Sequence, residues 1–422
     1  MPEVQEPLVD AKPEGKPAAC PRRSQPGSEK PMAVALLTGG GDKPYALGMA
    51  GALIVQGAFL DFIGSDDVNG PHLHNNPRVN FLNLRGDQTP NASRLEKLLR
   101  VTRYYLRLLR YAATARPRVF HVLWNNKLEL FDRTVLMLYY RLLGKHVVLT
   151  AHNVNIGKRD GKDTAVNRLS LKIQYGLSDH IFVHTKKMKS ELMAEFGAPE
   201  GKVTVIPFGI NNAVPNTEEL TRGQARQALG LSSSQKVMLF FGNIAPYKGL
   251  EYLIGALAEV AKRDTNYRLI VAGTVKRCDD YWQKVQEAIG RNGARARMIE
   301  RIEYIPDEAV ELYFKAADVL VLPYTHVFQS GVLFLGYSFG LPVIATDVGS
   351  LREEILEGRT GFVCRPCDPL SLANAIERYF ASDLYQDLAA RRQEIRDYAN
   401  ERYSWAKVGL MTKEVYARLL AA

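Results

Sequence analysis

Short runs of apolar, β-branched residues alternate along the chain with segments whose apolar positions recur every three or four residues. Ala33–Leu37, Val79–Leu84, Val119–Leu123, His146–Ala151, His180–His184 and Val203–Ile206 read as strands, with amphipathic helical segments between most of them. This βαβα rhythm predicts a parallel sheet covered on both faces. It breaks at Pro207–Gly223, a stretch without periodicity that reads as a linker. It then restarts with strands expected at Val237–Phe241, Tyr267–Ala272, Ile302–Ile305, Val319–Leu322, Val343–Thr346 and Gly361–Cys364. The fold class expected is α/β, two Rossmann-like doubly wound domains facing a cleft. The last stretch, from Pro369 to Ala422, reads as wholly helical, and its final helix, containing Trp405, is expected to cross back onto the first domain. The division expected is a tail over 1–32, a first domain over 33–210, a second over 211–404 and the crossing helix over 405–422.

Length agrees with two domains, since 422 residues exceed one ordinary core. No run of ~18 apolar residues suggests a membrane-spanning helix. Residues 1–32 are rich in Pro, Lys, Glu and Gly and read as a disordered tail without the apolar centre of a secretory signal, so a cytoplasmic location is expected. Four cysteines do not make a disulfide framework. Cys364 and Cys367 form a C-x-x-C without a second ligand pair, so two thiols are expected there rather than zinc. The net charge of +10 is lopsided: Arg94–Lys145 holds 12 basic residues against 3 acidic ones.

Ligands of open α/β sheets bind beyond the carboxyl ends of the strands. Four strand-to-helix loops are therefore candidates. After Leu37 comes Thr38-Gly39-Gly40-Gly41-Asp42, whose glycines, Gly40 and Gly41 among them, allow close approach of a ligand at a helix start. Its spacing fits neither the dinucleotide fingerprint nor a P-loop. After Ala151 stands His152, able to donate to a substrate hydroxyl or to stabilise developing charge, or else simply structural. After Phe241 comes "GNIAPYKGLEYLIGAL", where Lys248 stands at a helix start, an unfavourable place for a cation unless an anion is near. After Leu322, a helix beginning near Gln329 or Ser330 leaves its first amides unpaired, and Gly331 and Val332 do not obstruct them. Lys248 and this helix start are expected to grip one diphosphate. No D-x-D triplet occurs, and the Asp66-Asp67 and Asp279-Asp280 pairs are expected in solvated loops, so no metal and no cofactor are expected. Hydrolase motifs are absent.

"SRLEKLLRVTRYYLRLLRYAATARPR", Ser93 to Arg118, places Arg94, Lys97, Arg100, Arg103, Arg107 and Arg110 beside an arc of leucines. One reading is an acceptor surface or a helix lying on an anionic membrane. The plainer one is a solvated outer face whose leucines pack on the sheet. No nucleic-acid motif accompanies the charge.

"FGNIAPYKGLEYLIGAL", "AADVLVLPY", "GLPVIATDVGSLREEI", "GRTGFVCRPCDPLSLANAI" and "YSWAKV" resemble, in order and spacing, the second domain of GT-B glycosyltransferases of the large retaining family four. "VFHVLW", "VVLTAHN", "LSDHIFVHT" and "VTVIPFGIN" resemble its first domain, and the likeness covers about residues 33–420. The resemblance implies a nucleotide-diphosphate sugar on the second domain and an acceptor on the first. It matches Lys248 to a diphosphate-binding lysine, Gln329, Ser330, Gly331 and Val332 to the donor-phosphate loop, His152 to a histidine near the reacting sugar, and Gly40 and Gly41 to a loop approaching the donor. It also shows departures. Asn243 stands where the family usually has an arginine, and Val327 and Leu335 stand where it has two glutamates, in a subgroup carrying Gln-Ser-Gly.

The expected function is a metal-independent transfer of a hexosyl group, with retention, from a nucleotide-diphosphate sugar to a glycolipid or polysaccharide. The expected location is cytoplasmic and peripheral on the inner face of the membrane. The alternatives are a non-catalytic sugar-nucleotide scaffold, motivated by the missing glutamates, and a sugar-nucleotide epimerase on the same fold.

Overall fold

The computed structural model describes residues 32–89, 92–210, 214–275 and 278–421. Apart from Met32, the expected tail lies outside them, as do residues 211–213 of the expected linker. From Met32 onward the chain is one compact unit.

Seven parallel strands make the first sheet: β1 (Ala33–Leu37), β2 (Phe59–Gly64), β3 (Val79–Asn83), β4 (Val119–Val122), β5 (His146–Thr150), β6 (His180–Val183) and β7 (Val203–Val205). They lie in the order β3-β2-β1-β4-β5-β6-β7. Six parallel strands make the second: β8 (Lys236–Phe241), β9 (Tyr267–Ala272), β10 (Met298–Arg301), β11 (Val319–Leu322), β12 (Val343–Thr346) and β13 (Gly361–Cys364), in the order β10-β9-β8-β11-β12-β13. Central strands such as β4 and β11 are buried throughout; β11 reads as an unbroken apolar run, and β4 is broken only by buried His121. Each sheet reverses its strand order beside its first strand, so the loops after β1, β4, β8 and β11 stand at the switch points.

Two strands differ from the expected pattern. β2 was not anticipated because "FLDFIG" carries an acid in mid-strand. Asp61 is accommodated by Tyr111, whose hydroxyl donates to it at 2.7 Å, and by Asn80 at 2.9 Å. The strand expected at Ile302–Ile305 is instead β10, just upstream. It is an edge strand, so Glu300 and Arg301 are tolerated where a central strand would exclude them. The aspartate pairs also differ from expectation, since each opens a helical turn: Asp66–Val68 and Asp279–Arg291.

The helix Arg94–Thr114 starts with a capping box between Ser93 and Glu96. It packs on the first sheet through Tyr104, Tyr105, Leu108 and Ala112. Leu95, Leu98, Leu99 and Leu106 face solvent, each more than half exposed. The plainer reading, with these leucines on the sheet, is therefore overturned: the tyrosines take that face.

The last helix, Trp405–Ala421, packs on Lys43–Val55 of the first half. Gly409 permits this, since a Cβ there would lie 2.7 Å from the Ala52 carbonyl oxygen. Buried Tyr416 meets His121 Nδ1 at 2.5 Å, and the Trp405 indole donates to the Ile210 carbonyl at 2.9 Å. Chain from beyond the second sheet thus completes the core under the first.

Candidate functional site

A cleft of about 600 Å³ lies between the carboxyl ends of the two sheets. Its second-sheet wall is set by two loops that touch. After β8 comes the turn Pro246–Lys248, then Gly249 at φ 63°, which ends the turn and opens the helix Leu250–Ala261. A Cβ on Gly249 would stand 2.1 Å from the Pro323 carbonyl oxygen, so only glycine lets the loops after β8 and β11 close on each other. The Thr325 amide donates to the Tyr247 carbonyl at 2.9 Å and ties the two loops.

This contact places Lys248. It lies in the turn before the helix rather than on the helix, and is only 7% exposed. Its ammonium sits 4.0 Å from the centroid of the Tyr324 ring and donates to the Tyr324 hydroxyl. That hydroxyl is 3.2 Å from Ser330 Oγ. Ser330 occupies the cap position of Gly331–Ser338 but caps none of its first amides. Ammonium, phenol, hydroxyl and helix start are thus contiguous, and Lys248, Gln329, Ser330, Gly331 and Val332 all line the cleft. Such a wall combines a cation with a helix's positive end and suits an anion. Gln329 donates to Glu354 at 3.4 Å, while its own Oε1 is buried without a partner. Val327 and Leu335 also line the cleft, so it is apolar at the two positions where the resembled family usually carries glutamates.

The first-sheet wall comes from Asp42, Tyr45, His152 and Asn153, with Phe208 and Trp405 closing the floor. Asp42 caps the helix Lys43–Val55 by accepting from the Tyr45 amide at 2.9 Å. Burial holds its carboxyl above the usual range, although the Tyr45 amide lowers it. His152 stacks on Trp124 with centroids 4.1 Å apart and planes 6° from parallel. Its Nδ1 is 3.0 Å from His184 Nε2, and His184 Nδ1 is 3.3 Å from the Ile206 carbonyl oxygen. That carbonyl can only accept, so His184 donates through Nδ1 and receives the His152 proton at Nε2. His152 Nε2 is left with a lone pair, buried and without a partner. Burial, then His184 and His121, push the His152 pKa well down, against a weaker effect of the Leu123 carbonyl. Burial pushes His184 down to about 4. The ring is therefore neutral at pH 7, with Nε2 free to accept a hydrogen bond.

Other expected residues stand apart. Gly40 and Gly41 do not line the cleft. A Cβ on Gly40 would strike the Arg85 guanidinium at 2.4 Å and one on Gly41 the Trp124 ring at 2.1 Å, so protein side chains occupy the space expected for a ligand. Asn243 is exposed and off the wall. Arg100, Arg103, Arg107 and Arg110 are also away from the cleft lining, on the helix Arg94–Thr114. Among the described residues no group of three or more His, Cys, Asp and Glu side chains could hold a metal ion. Cys364 and Cys367 are both free thiols. Sequence reading missed Asp42, Trp124, Tyr324 and Phe208. The signal for Tyr324 was present, since it stands two residues past a buried strand.

Residues 39–214 match the family model Glycosyltransferase Family 4, and residues 235–382 match Glycosyl transferases group 1. An uncharacterized glycosyltransferase of Methanocaldococcus jannaschii is 26% identical over 275 residues, 64% of this chain and 68% of that protein. A D-inositol 3-phosphate glycosyltransferase of Corynebacterium urealyticum is 25% identical over 65% of each chain. Among solved structures, sucrose-phosphate synthase from Thermosynechococcus elongatus superposes with a TM-score of 0.73 at 20% identity, covering 92% of this chain and 99% of that one. Anabaena HepE in complex with UDP and glucose gives 0.70 at 18% identity, covering 92% and 100%. The fold is GT-B.

Proposed function

We propose that this chain, which carries a family 4 glycosyltransferase domain followed by a group 1 glycosyltransferase domain in the GT-B fold, moves a hexosyl group from a nucleoside diphosphate to a glycolipid or polysaccharide acceptor with retention and without a metal ion. One observation carries the reading: Lys248, Ser330 and the start of Gly331–Ser338 line one wall of the interdomain cleft, and the buried Tyr324 hydroxyl joins Lys248 to Ser330 behind it. In the reaction the bond from sugar C1 to the diphosphate oxygen breaks. The departing charge falls on Lys248 and the amides of residues 331 and 332. The acceptor oxygen bonds to C1 from the same face, and its proton passes to the departing phosphate oxygen, so no side-chain base is required. His152 packs beside the reacting sugar as a neutral ring and acceptor.

HepE, a protein of the same fold, binds UDP and glucose, which makes UDP the first nucleotide to test. Isothermal titration of the full chain is expected to show UDP binding that Lys248→Ala weakens by about 30- to 150-fold. UDP binding that persists unchanged in Lys248→Ala overturns the reading. Binding without transfer to any acceptor, glycolipid or glycan, favours the scaffold alternative. Transfer is expected to continue in excess chelator.

The acceptor is proposed to be membrane-borne, and the chain to sit on an anionic cytoplasmic leaflet. Besides the four exposed leucines of Arg94–Thr114, Leu130, Val135, Leu138 and Leu142 and Val166, Leu169 and Ile173 are exposed on helical segments whose buried residues join the same core cluster. Basic residues, including Lys97, Arg103 and Arg107, flank them. Apolar side chains rimmed by lysine and arginine suit a lipid headgroup boundary. Among the described residues no helix is long and apolar enough to cross a membrane.

A further inference from the structure

Arg85 is the buried cation that neither the donor wall nor the core explains. It follows β3, and its amide donates to the Gly64 carbonyl at 3.2 Å, which fixes it at the carboxyl edge of the first sheet, the ligand edge. The residue is only 9% exposed. Its guanidinium lies flat against Gly40: an ideal Cβ there would be 2.4 Å from Nη1 and 2.5 Å from both Cζ and Nη2. The Tyr104 ring lies 5.6 Å from it on another side. Nη1 is fully buried without a hydrogen-bond partner, and among the described residues the guanidinium forms no ion pair. An arginine cannot shed its charge, and a buried cation without an anion or acceptors is strongly disfavoured. Folded proteins keep such a group where a ligand completes it.

The structure assigns Arg85 to an oxyanion-binding subsite of the first domain. We infer that it takes a phosphate group carried by the acceptor, matched by the planar fork of the guanidinium. This rests on the glycosyltransferase reading and deepens it by naming an anionic class of acceptor. It also gives Gly40 a purpose other than donor contact: the missing side chain is the room in which the guanidinium lies. Tyr104 fits the same role, since its hydroxyl meets Asn126 Oδ1 at 2.5 Å and holds the ring beside Arg85. Donor diphosphate and acceptor phosphate would then be held from opposite lobes, by Lys248 and by Arg85.

The test titrates inorganic phosphate into the full chain by calorimetry, in the wild type, Arg85→Met, Arg85→Lys, Lys248→Ala and the Lys248→Ala/Arg85→Met double variant. Phosphate binding that survives in Lys248→Ala is expected to weaken at least ~10-fold on adding Arg85→Met, whether or not UDP binds, so the subsite is read independently of the donor site. Arg85→Lys is expected to bind phosphate with intermediate affinity. UDP binding is expected to be the same in Arg85→Met as in the wild type. Thermal melts without phosphate separate a ligand role from a structural one. Loss of an uncompensated buried charge leaves Arg85→Met with a Tm at or above that of the wild type, whereas a structural arginine lowers it. Acetate in place of phosphate distinguishes a carboxylate subsite, and stronger binding of acetate overturns the phosphate assignment. Unchanged phosphate affinity in the double variant relative to Lys248→Ala overturns the proposal, as does a lowered Tm with phosphate affinity retained.

Discussion

Lys248 owes its position to Tyr324 as much as to its own loop. The ring supports the ammonium from 4.0 Å while the hydroxyl links it to Ser330. Lys248→Ala should cost about 2–3 kcal/mol of UDP binding, as expected for a charge-assisted contact, and a titration reads this as a loss of about 30- to 150-fold. Tyr324→Phe removes the link but keeps the ring, so a smaller loss is expected. His152→Ala should lower kcat while leaving UDP affinity near that of the wild type, because the ring stands on the wall opposite Lys248. The buried histidines also set a pH limit. His184 titrates near 4 in the folded chain against an ordinary value of 6.5, so between these values the unfolded chain binds the additional proton. Stability is then complete above pH 6.5 and is lost as pH falls toward 4. A Tm series over that range should decline, and His184→Gln should flatten part of the decline.

At the scale of elements, the site is made by one strand-end loop lying against another. Gly249 is the hinge of that contact, with a positive φ and no room for a Cβ. Gly249→Ala should cost about 2 kcal/mol or more of stability and weaken UDP binding as well, since it forces apart the loops that carry Lys248 and Tyr324. Thermal melts and titration on the same preparation check both effects. The helix Arg94–Thr114 makes a separate prediction. Flotation with anionic vesicles should fall when Leu95, Leu98 and Leu99 are changed to glutamine, and fall again when Arg103 and Arg107 are changed to glutamine. Neutral vesicles should bind weakly throughout, because each basic residue near an anionic lipid contributes about 1 kcal/mol.

At the scale of the molecule, the crossing helix binds the last residues to the first sheet. Trp405 fills the gap over Gly48 and Gly209, where a Cβ would stand 2.2 and 2.5 Å from the indole. Trp405→Ala should cost about 2–3 kcal/mol, less than for a fully buried tryptophan, and a thermal melt reads it. The alternation of apolar runs identified eleven of the strands near their observed places, because most of their positions are apolar and most of the strands are buried on both faces. It missed β2, where Asp61 breaks the run, and displaced β10, an edge strand whose charges face out. In the site, Lys248 and the stretch Gln329 to Val332 were legible because a loop following a buried strand reaches the ligand edge. Gly40, Gly41 and Asn243 read equally well from sequence, yet they lie off the cleft lining.

The amino-acid sequence alone determined the α/β class, the restart of the pattern after residue 223 and the loops that face the ligand edge. These follow from local periodicity and from the rule relating strand ends to ligands. Only the tertiary structure decided which residue fills the space beside each glycine, that the His152 and His184 rings meet, and that, among the described residues, Arg85 Nη1 is buried without a hydrogen-bond partner. Those outcomes depend on side chains brought together from distant parts of the chain, and no local pattern encodes their contacts.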